Sequence, residues 1–167
     1  MAEVTIRTAI GCTGKTYFEK CLFSADYCTR LYNEVLKFPG VKVLALKAEG
    51  DVWTRQLAID PPLSGLPGPV QKLIGDKFSY IEDGKYDTKS GRYTFKVTPS
   101  TAGDKTKTAG ESWCEDAADG QSSTLVTKLT VEVKIFMVGG MVEDKIIKDF
   151  RASLDQAAPF ITTFTKA

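Results

Sequence analysis

Along the last third of the chain the spacing of apolar residues changes once, and that change marks out two elements. From Leu125 to Ile135 it alternates: Leu125, Leu129, Val131, Val133 and Ile135 share one face, and Lys128, Thr130, Glu132 and Lys134 share the other. This is the period-2 signature of a strand with one covered and one wet face. Beyond Phe136–Gly140 the period becomes helical, with Val142, Ile146, Phe150, Leu154, Ala157 or Ala158, Ile161 and Phe164 recurring every three or four residues. A helix of that extent is about 35 Å long at 1.5 Å per residue, and an apolar stripe that long needs a sheet to lie against. The paired glycines Gly139-Gly140 predict a sharp pivot between the two, with backbone angles a Cβ would forbid. On that reading Gly140→Val destabilises the fold, because a β-branched residue tolerates positive φ poorly.

The rest of the pattern supplies the sheet. Residues 3 to 10 form a short amphipathic strand with Val4 and Ile6 on one side. Two short helices follow, one around Tyr17, Phe18, Cys21 and Leu22, the other around Tyr27, Cys28, Leu31, Tyr32, Val35 and Leu36. They hinge near Phe23-Ser24, with Ser24 as an N-cap, and Pro39-Gly40 closes them. Strands are then predicted over 41–48 and 52–60, 77–87 and 92–99, 105–114, and the long strand already described. The turns between them include Glu49-Gly50-Asp51 and Thr88-Lys89-Ser90-Gly91. A proline-rich insert, Pro61 to Gly75, interrupts the series with room for one helical turn at 70–74. Consecutive strands joined by tight turns pair antiparallel, so the class is α+β rather than βαβ: seven strands, two short helices after the first and one long C-terminal helix.

Parity along the strands places Trp53, Leu57 and Ile59; Phe78 and Tyr80; Tyr93, Phe95 and Val97; and Leu125, Leu129, Val131 and Val133 on the inner face. Arg55 and Glu82 share that parity, so each sits at the mouth of the interior or inside it with a polar partner, since an unpaired buried charge is costly. The strand over 105–114 offers no good core face: one side is Thr106, Thr108, Gly110, Ser112 and Cys114, the other Lys105, Lys107, Ala109, Glu111 and Trp113. The facing of Trp113 stays open.

Composition narrows the chemistry. The chain has 167 residues, a single-domain length, with 22 basic and 21 acidic residues spread evenly. That gives no electrostatic case for nucleic acid or an anionic membrane surface. No signal-peptide core or membrane-length apolar run is present, so the expectation is a cytoplasmic protein without stable membrane insertion. The four cysteines follow no metal spacing and are read as reduced thiols. No histidine is present, which removes Ser-His-Asp and Cys-His catalysis. Gly11 to Thr16 ends in Gly14-Lys15-Thr16 after a strand and before a helix, the context of a phosphate loop, but Ala9 replaces the first glycine and the strand is not a continuous apolar run. The carboxylates Glu82, Asp83, Asp87, Glu111 and Asp60 form no pair that spacing forces into one pocket. The aromatic rows fit either a solid core or the lining of an apolar pocket.

The order strand, two short helices, six strands, long helix resembles the START-like, or SRPBCC, superfamily with its helix-grip fold. Phe23–Tyr27, Pro67–Gly75 and above all Val133–Glu143 resemble one branch, an uncharacterised START-like family of unknown function, over nearly the whole chain. The glycine-rich loop of the pathogenesis-related and pollen-allergen branch is absent between Val43 and Arg55. The resemblance implies a curved sheet wrapped around the C-terminal helix and a cavity between them that, in relatives, receives lipids, sterols or polyketides. The expected partner is therefore a hydrophobic small molecule, with no cofactor, no metal and no nucleic acid. The expected lining is Trp53, Arg55, Leu57, Phe78, Tyr80, Tyr93, Phe95, Leu129 and Val131 from the sheet side, and Met141, Ile146, Phe150 and Leu154 from the helix. Arg55 or a tyrosine hydroxyl would orient a polar end, and the Pro61–Gly75 insert and the pivot are candidate gates. The alternative is an enzyme of the cyclase or dehydratase type using Glu82, Glu111 or a tyrosine; nucleotide binding through Lys15 is a third reading. Sequence leaves the oligomeric state open.

Overall fold

The computed structural model describes residues 1–166. Strand β1 (Ala2–Ile10) leads into two short helices, α1 (Gly14–Thr16), continued as a π-helical stretch over Tyr17–Leu22, and α2 (Ala25–Arg30), continued likewise over Leu31–Val35. Then come β2 (Gly40–Lys47), β3 (Val52–Asp60), α3 (Gly68–Ile74), β4 (Tyr80–Asp87), β5 (Arg92–Pro99), β6 (Thr106–Asp116), β7 (Ser123–Val133) and α4 (Gly139–Lys166). All seven strands pair antiparallel in one sheet, in the order β1-β7-β6-β5-β4-β3-β2. Consecutive strands from β2 to β7 are neighbours, while β1 and β2 lie at opposite edges with the two short helices carrying the chain between them. The sheet curves around α4, whose 28 residues run about 42 Å.

Local chemistry sets the helix starts. Ser24 caps α2, its Oγ accepting from the Tyr27 N–H at 3.2 Å, and Thr13 caps α1 by accepting from the Thr16 N–H. On the strands the predicted parity holds: Leu57, Ile59, Tyr93, Leu125, Leu129 and Val131 are all buried. Helix α4 is packed unevenly along its length. Ala157 and Ile161 near its C-terminal end are buried, and Phe160 stacks on Tyr27 with ring centres 5.2 Å apart. Ile146, Phe150 and Leu154 in its middle are only half-buried, because there the helix stands off the sheet.

The pivot differs from expectation. Gly139 and Gly140 are already the first residues of α4, and the residue with positive φ is Met137, at 68°. The turn is made by 134–138, leaving Phe136 and Met137 90% and 85% exposed. Gly139 is needed for a different reason: a Cβ there would run into the backbone carbonyl of Val133, whereas one at Gly140 meets open space. Gly140→Val is therefore expected to behave as a surface change, within about 0.5 kcal/mol. Gly139→Ala is expected to lose about 1–3 kcal/mol through forced overlap with backbone. Calorimetric melting of the two variants side by side checks both. The other corrections are small: β4 starts at Tyr80, so Phe78 lies before it, and α3 reaches seven residues.

Candidate functional site

Where α4 stands away from the sheet, a cavity of about 580 Å³ opens. Its floor comes from β3 to β7, its roof from α4 between Val142 and Ala157, and its sides from the two short helices, the 61–66 loop and α3. Of the side chains the sequence points to, Arg55, Phe78, Tyr80, Tyr93, Phe95, Ile146, Phe150 and Leu154 stand in this wall. Phe95 and Phe150 stack across it with ring centres 5.9 Å apart and planes 11° from parallel. The structure does not bring the remaining five there. Leu57, Leu129 and Val131 are sealed in the core, and Trp53 packs edge-on against Phe23 at 5.4 Å. Met141 is 45% exposed on the outer side of α4, one helical residue out of phase with Val142 and Ile146.

The polar centre of the wall is built on Arg55. Its Nη2 donates to Glu82 Oε2 at 2.7 Å, its Nε to the Tyr93 hydroxyl at 2.9 Å, and its Nη1 to the Leu22 carbonyl at 2.8 Å and Cys28 Sγ at 3.2 Å. The Tyr93 hydroxyl donates in turn to Glu82 Oε1 at 3.3 Å. Side-chain exposure is 5% for Arg55 and 13% for Glu82, so this is a buried ion pair in a satisfied network. Burial alone would pull the guanidinium down, but Glu82 and Tyr93 beside it hold it above its ordinary range. Burial pushes the Tyr93 phenol up, and Glu82 adds to this against the opposing pull of Arg55. Parity places Arg55 and Glu82 inside together. The contribution of Leu22 and Cys28 is invisible to it, because a helix's carbonyls and thiols carry no facing signal in sequence.

A second polar strip lies on β6. Thr106, Thr108 and Ser112 face the cavity from β6, beside Thr127 of β7, and the Ser112 and Thr127 hydroxyls share a hydrogen bond of 3.0 Å. Thr106 Oγ1 is buried without a partner. The small, polar inner face of this strand, which by composition is no core face at all, is one because it borders empty space rather than packed side chains. Trp113 sits on the opposite face, where the Arg92 guanidinium lies 4.1 Å from its ring centre. Glu111 shares that outer face, ion-paired with Arg92 at 3.0 Å, and so is excluded from any role inside.

The loop at Gly11–Thr16 is not set up for phosphate. The Gly14 N–H donates to Asp116 Oδ1 at 2.8 Å, so a carboxylate stands where an anion would have to sit. Lys15 is paired with Glu19 at 2.9 Å. The cysteines are free, and burial raises every thiol, Cys21 and Cys114 to about 12. Folding thus favours the protonated thiols: their contribution is whole below the usual value of 9.0 and is lost as pH climbs from there toward about 12. At pH 8 native protein is expected to react with iodoacetamide far more slowly than urea-unfolded protein, read by mass spectrometry. Among the described residues no cluster of Cys, Asp and Glu could hold a metal ion, and no helix is long and apolar enough to cross a membrane.

A curved antiparallel sheet gripping one long helix over a cavity defines the helix-grip fold of START-like proteins. The same fold is found at low identity in solved structures. A protein from Thermus thermophilus superposes with TM-score 0.61 at 16% identity, over 99% of this chain and 97% of that one. A START superfamily protein from Mycobacterium smegmatis gives 0.58 at 17%, over 96% and 99%. Norcoclaurine synthase from Thalictrum flavum gives 0.59 at 10%, over 92% and 83%. Within that fold the chain belongs to the family described as a protein of unknown function (DUF2505), which it matches over residues 16–164. No curated protein matches it in sequence.

Proposed function

We propose that this chain binds one hydrophobic small molecule in the space between the sheet and α4, as a carrier or sequestering protein. The observation that carries this reading is the cavity itself: about 580 Å³ left unfilled in the middle of the molecule and walled mainly by aromatic and aliphatic side chains. Volumes of this order hold a single lipid-like or polycyclic molecule. Affinity would come from burying the ligand's apolar surface, at about 25 cal/mol per Å² before the costs of association. The START-like neighbours support the same use of the fold. The Pro61–Leu66 loop and α3 line one side through Pro61, Leu66, Val70 and Leu73, and we assign entry to that side.

Binding is favoured over turnover by the state of Glu82. Both of its oxygens are taken up, one by Arg55 and one by Tyr93, and Asp149 is paired with Lys145, so no unpaired carboxylate stands in the wall to serve a cyclase or dehydratase. The test is native mass spectrometry of the protein after incubation with a cell lipid extract, paired with Ile146→Trp, whose indole would fill the space. Wild type is expected to carry a stoichiometric adduct and the variant to bind at least about tenfold more weakly. A wild type without adduct, or a variant that binds equally well, would sink the proposal.

A further inference from the structure

The charges in the cavity wall say what kind of ligand it accepts. Among the described residues only Arg55, Glu82, Lys145 and Asp149 bring formal charge to the lining, and they come as two closed pairs. Arg55 holds Glu82 at 2.7 Å and Lys145 holds Asp149 at 2.9 Å. The wall is therefore neutral, and no cation or anion in it is free. Arg55 is the more tightly committed, with four of its five N–H groups engaged by protein. What is left for a ligand is uncharged. The Tyr80 hydroxyl lines the cavity and has no protein partner among the described residues; Thr106 Oγ1 also lacks one but is fully covered. Tyr80 keeps its proton: burial pushes its phenol up, and Glu82 and Asp149 add to this against the opposing pull of Arg55; all four line the same cavity.

We propose that the occupant of this cavity is an uncharged molecule bearing a hydrogen-bonding oxygen, an alcohol, ketone or ester, and not a fatty-acid carboxylate or an amine. A carboxylate placed at Tyr80 would meet Glu82 and Asp149 with no unpaired cation to receive it. To gain Arg55 it would have to displace Glu82, leaving that group buried and unpaired. An ammonium there would find both carboxylates already paired, and to gain either it would have to displace Arg55 or Lys145. A neutral oxygen needs only the donor that is already free. This inference rests on the cavity being a ligand site, and the experiment keeps the two apart.

Nile red, an uncharged dye, is bound to the protein at pH 8.5 and displaced by 1-dodecanol or by dodecanoate, which share a twelve-carbon chain and set a neutral hydroxyl head against an anionic carboxylate. Dodecanol is expected to displace the dye at a concentration at least about tenfold lower. Glu82→Gln releases Arg55 and should raise the affinity for dodecanoate relative to dodecanol by at least about tenfold. Since Glu82→Gln disturbs a buried pair, Asp149→Asn at the half-exposed rim serves as the second variant, with a smaller gain of about twofold to threefold. Dodecanoate equal to dodecanol on wild type overturns the inference, as does a dodecanoate affinity that moves in neither variant. If wild type does not bind Nile red at all, the ligand-site reading itself fails and this inference with it.

Discussion

Arg55→Met is expected to lower stability by about 3–5 kcal/mol, which for a chain of this size is a fall in melting temperature of roughly 8–15 °C. The loss does not come from the side chain removed, since methionine fills similar volume. It comes from what stays behind: Glu82, 13% exposed at its side chain, loses its counter-charge, and the Leu22 carbonyl and Tyr93 hydroxyl lose a donor. Arg55→Met with Glu82→Leu removes both charges at once, and replacing a buried pair with apolar groups is often neutral. The double variant is therefore expected to recover most of the loss, a coupling of about 2 kcal/mol or more between the two positions. Equilibrium urea unfolding of wild type, both singles and the double measures it. Additive effects would mean that the two side chains do not act as a pair.

The same residues show how far sequence reaches. Period-2 alternation puts Arg55 and Glu82 on the inner face without knowledge of any contact, and a buried charge needs a partner, so the pairing is nearly implied. β3 and β5 are legible to the residue, because each alternates cleanly between turns with unambiguous chemistry. The helix register is legible at Ile146, Phe150 and Leu154 and misleading at Met141, since at a helix start an apolar residue can belong to either flank of the stripe. The pivot falls elsewhere than the glycine pair because glycine has two physical uses, freedom of φ and absence of a side chain, which look the same in sequence. Gly139 serves the second, against the Val133 carbonyl. The rows of Leu57, Leu129 and Val131 share parity with the cavity residues but not position along the strands. Parity reports which face a residue takes; where along that face the helix lifts off is set by the packing of Ala157, Ile161 and Phe160 against β1, β7 and α2, and no local pattern encodes it.

Gly110→Val is expected to act on both stability and the cavity. Gly110 sits in the middle of β6, opposite Phe95 on β5 and Leu129 on β7. The Phe95 ring lies directly across it, so that a Cβ would fall on the ring's Cζ and Cε1 and within 2.8 Å of the Lys128 carbonyl oxygen. Because the carbonyl is held in the β6–β7 ladder, the ring has to yield. Phe95 also stacks on Phe150, the contact that ties the floor to the middle of α4, and the space it can move into is the cavity. Overpacking of this kind costs about 1–3 kcal/mol, and more where backbone is involved. The variant should therefore melt roughly 5–10 °C lower and bind Nile red at least about tenfold more weakly. Phe95→Leu in the same chain gives the overlap back its room and is expected to restore part of the stability. Urea and dye titrations on the single and double variants read both quantities. If Gly110→Val keeps wild-type dye binding, Phe95 is not what stands between the floor of the sheet and the ligand.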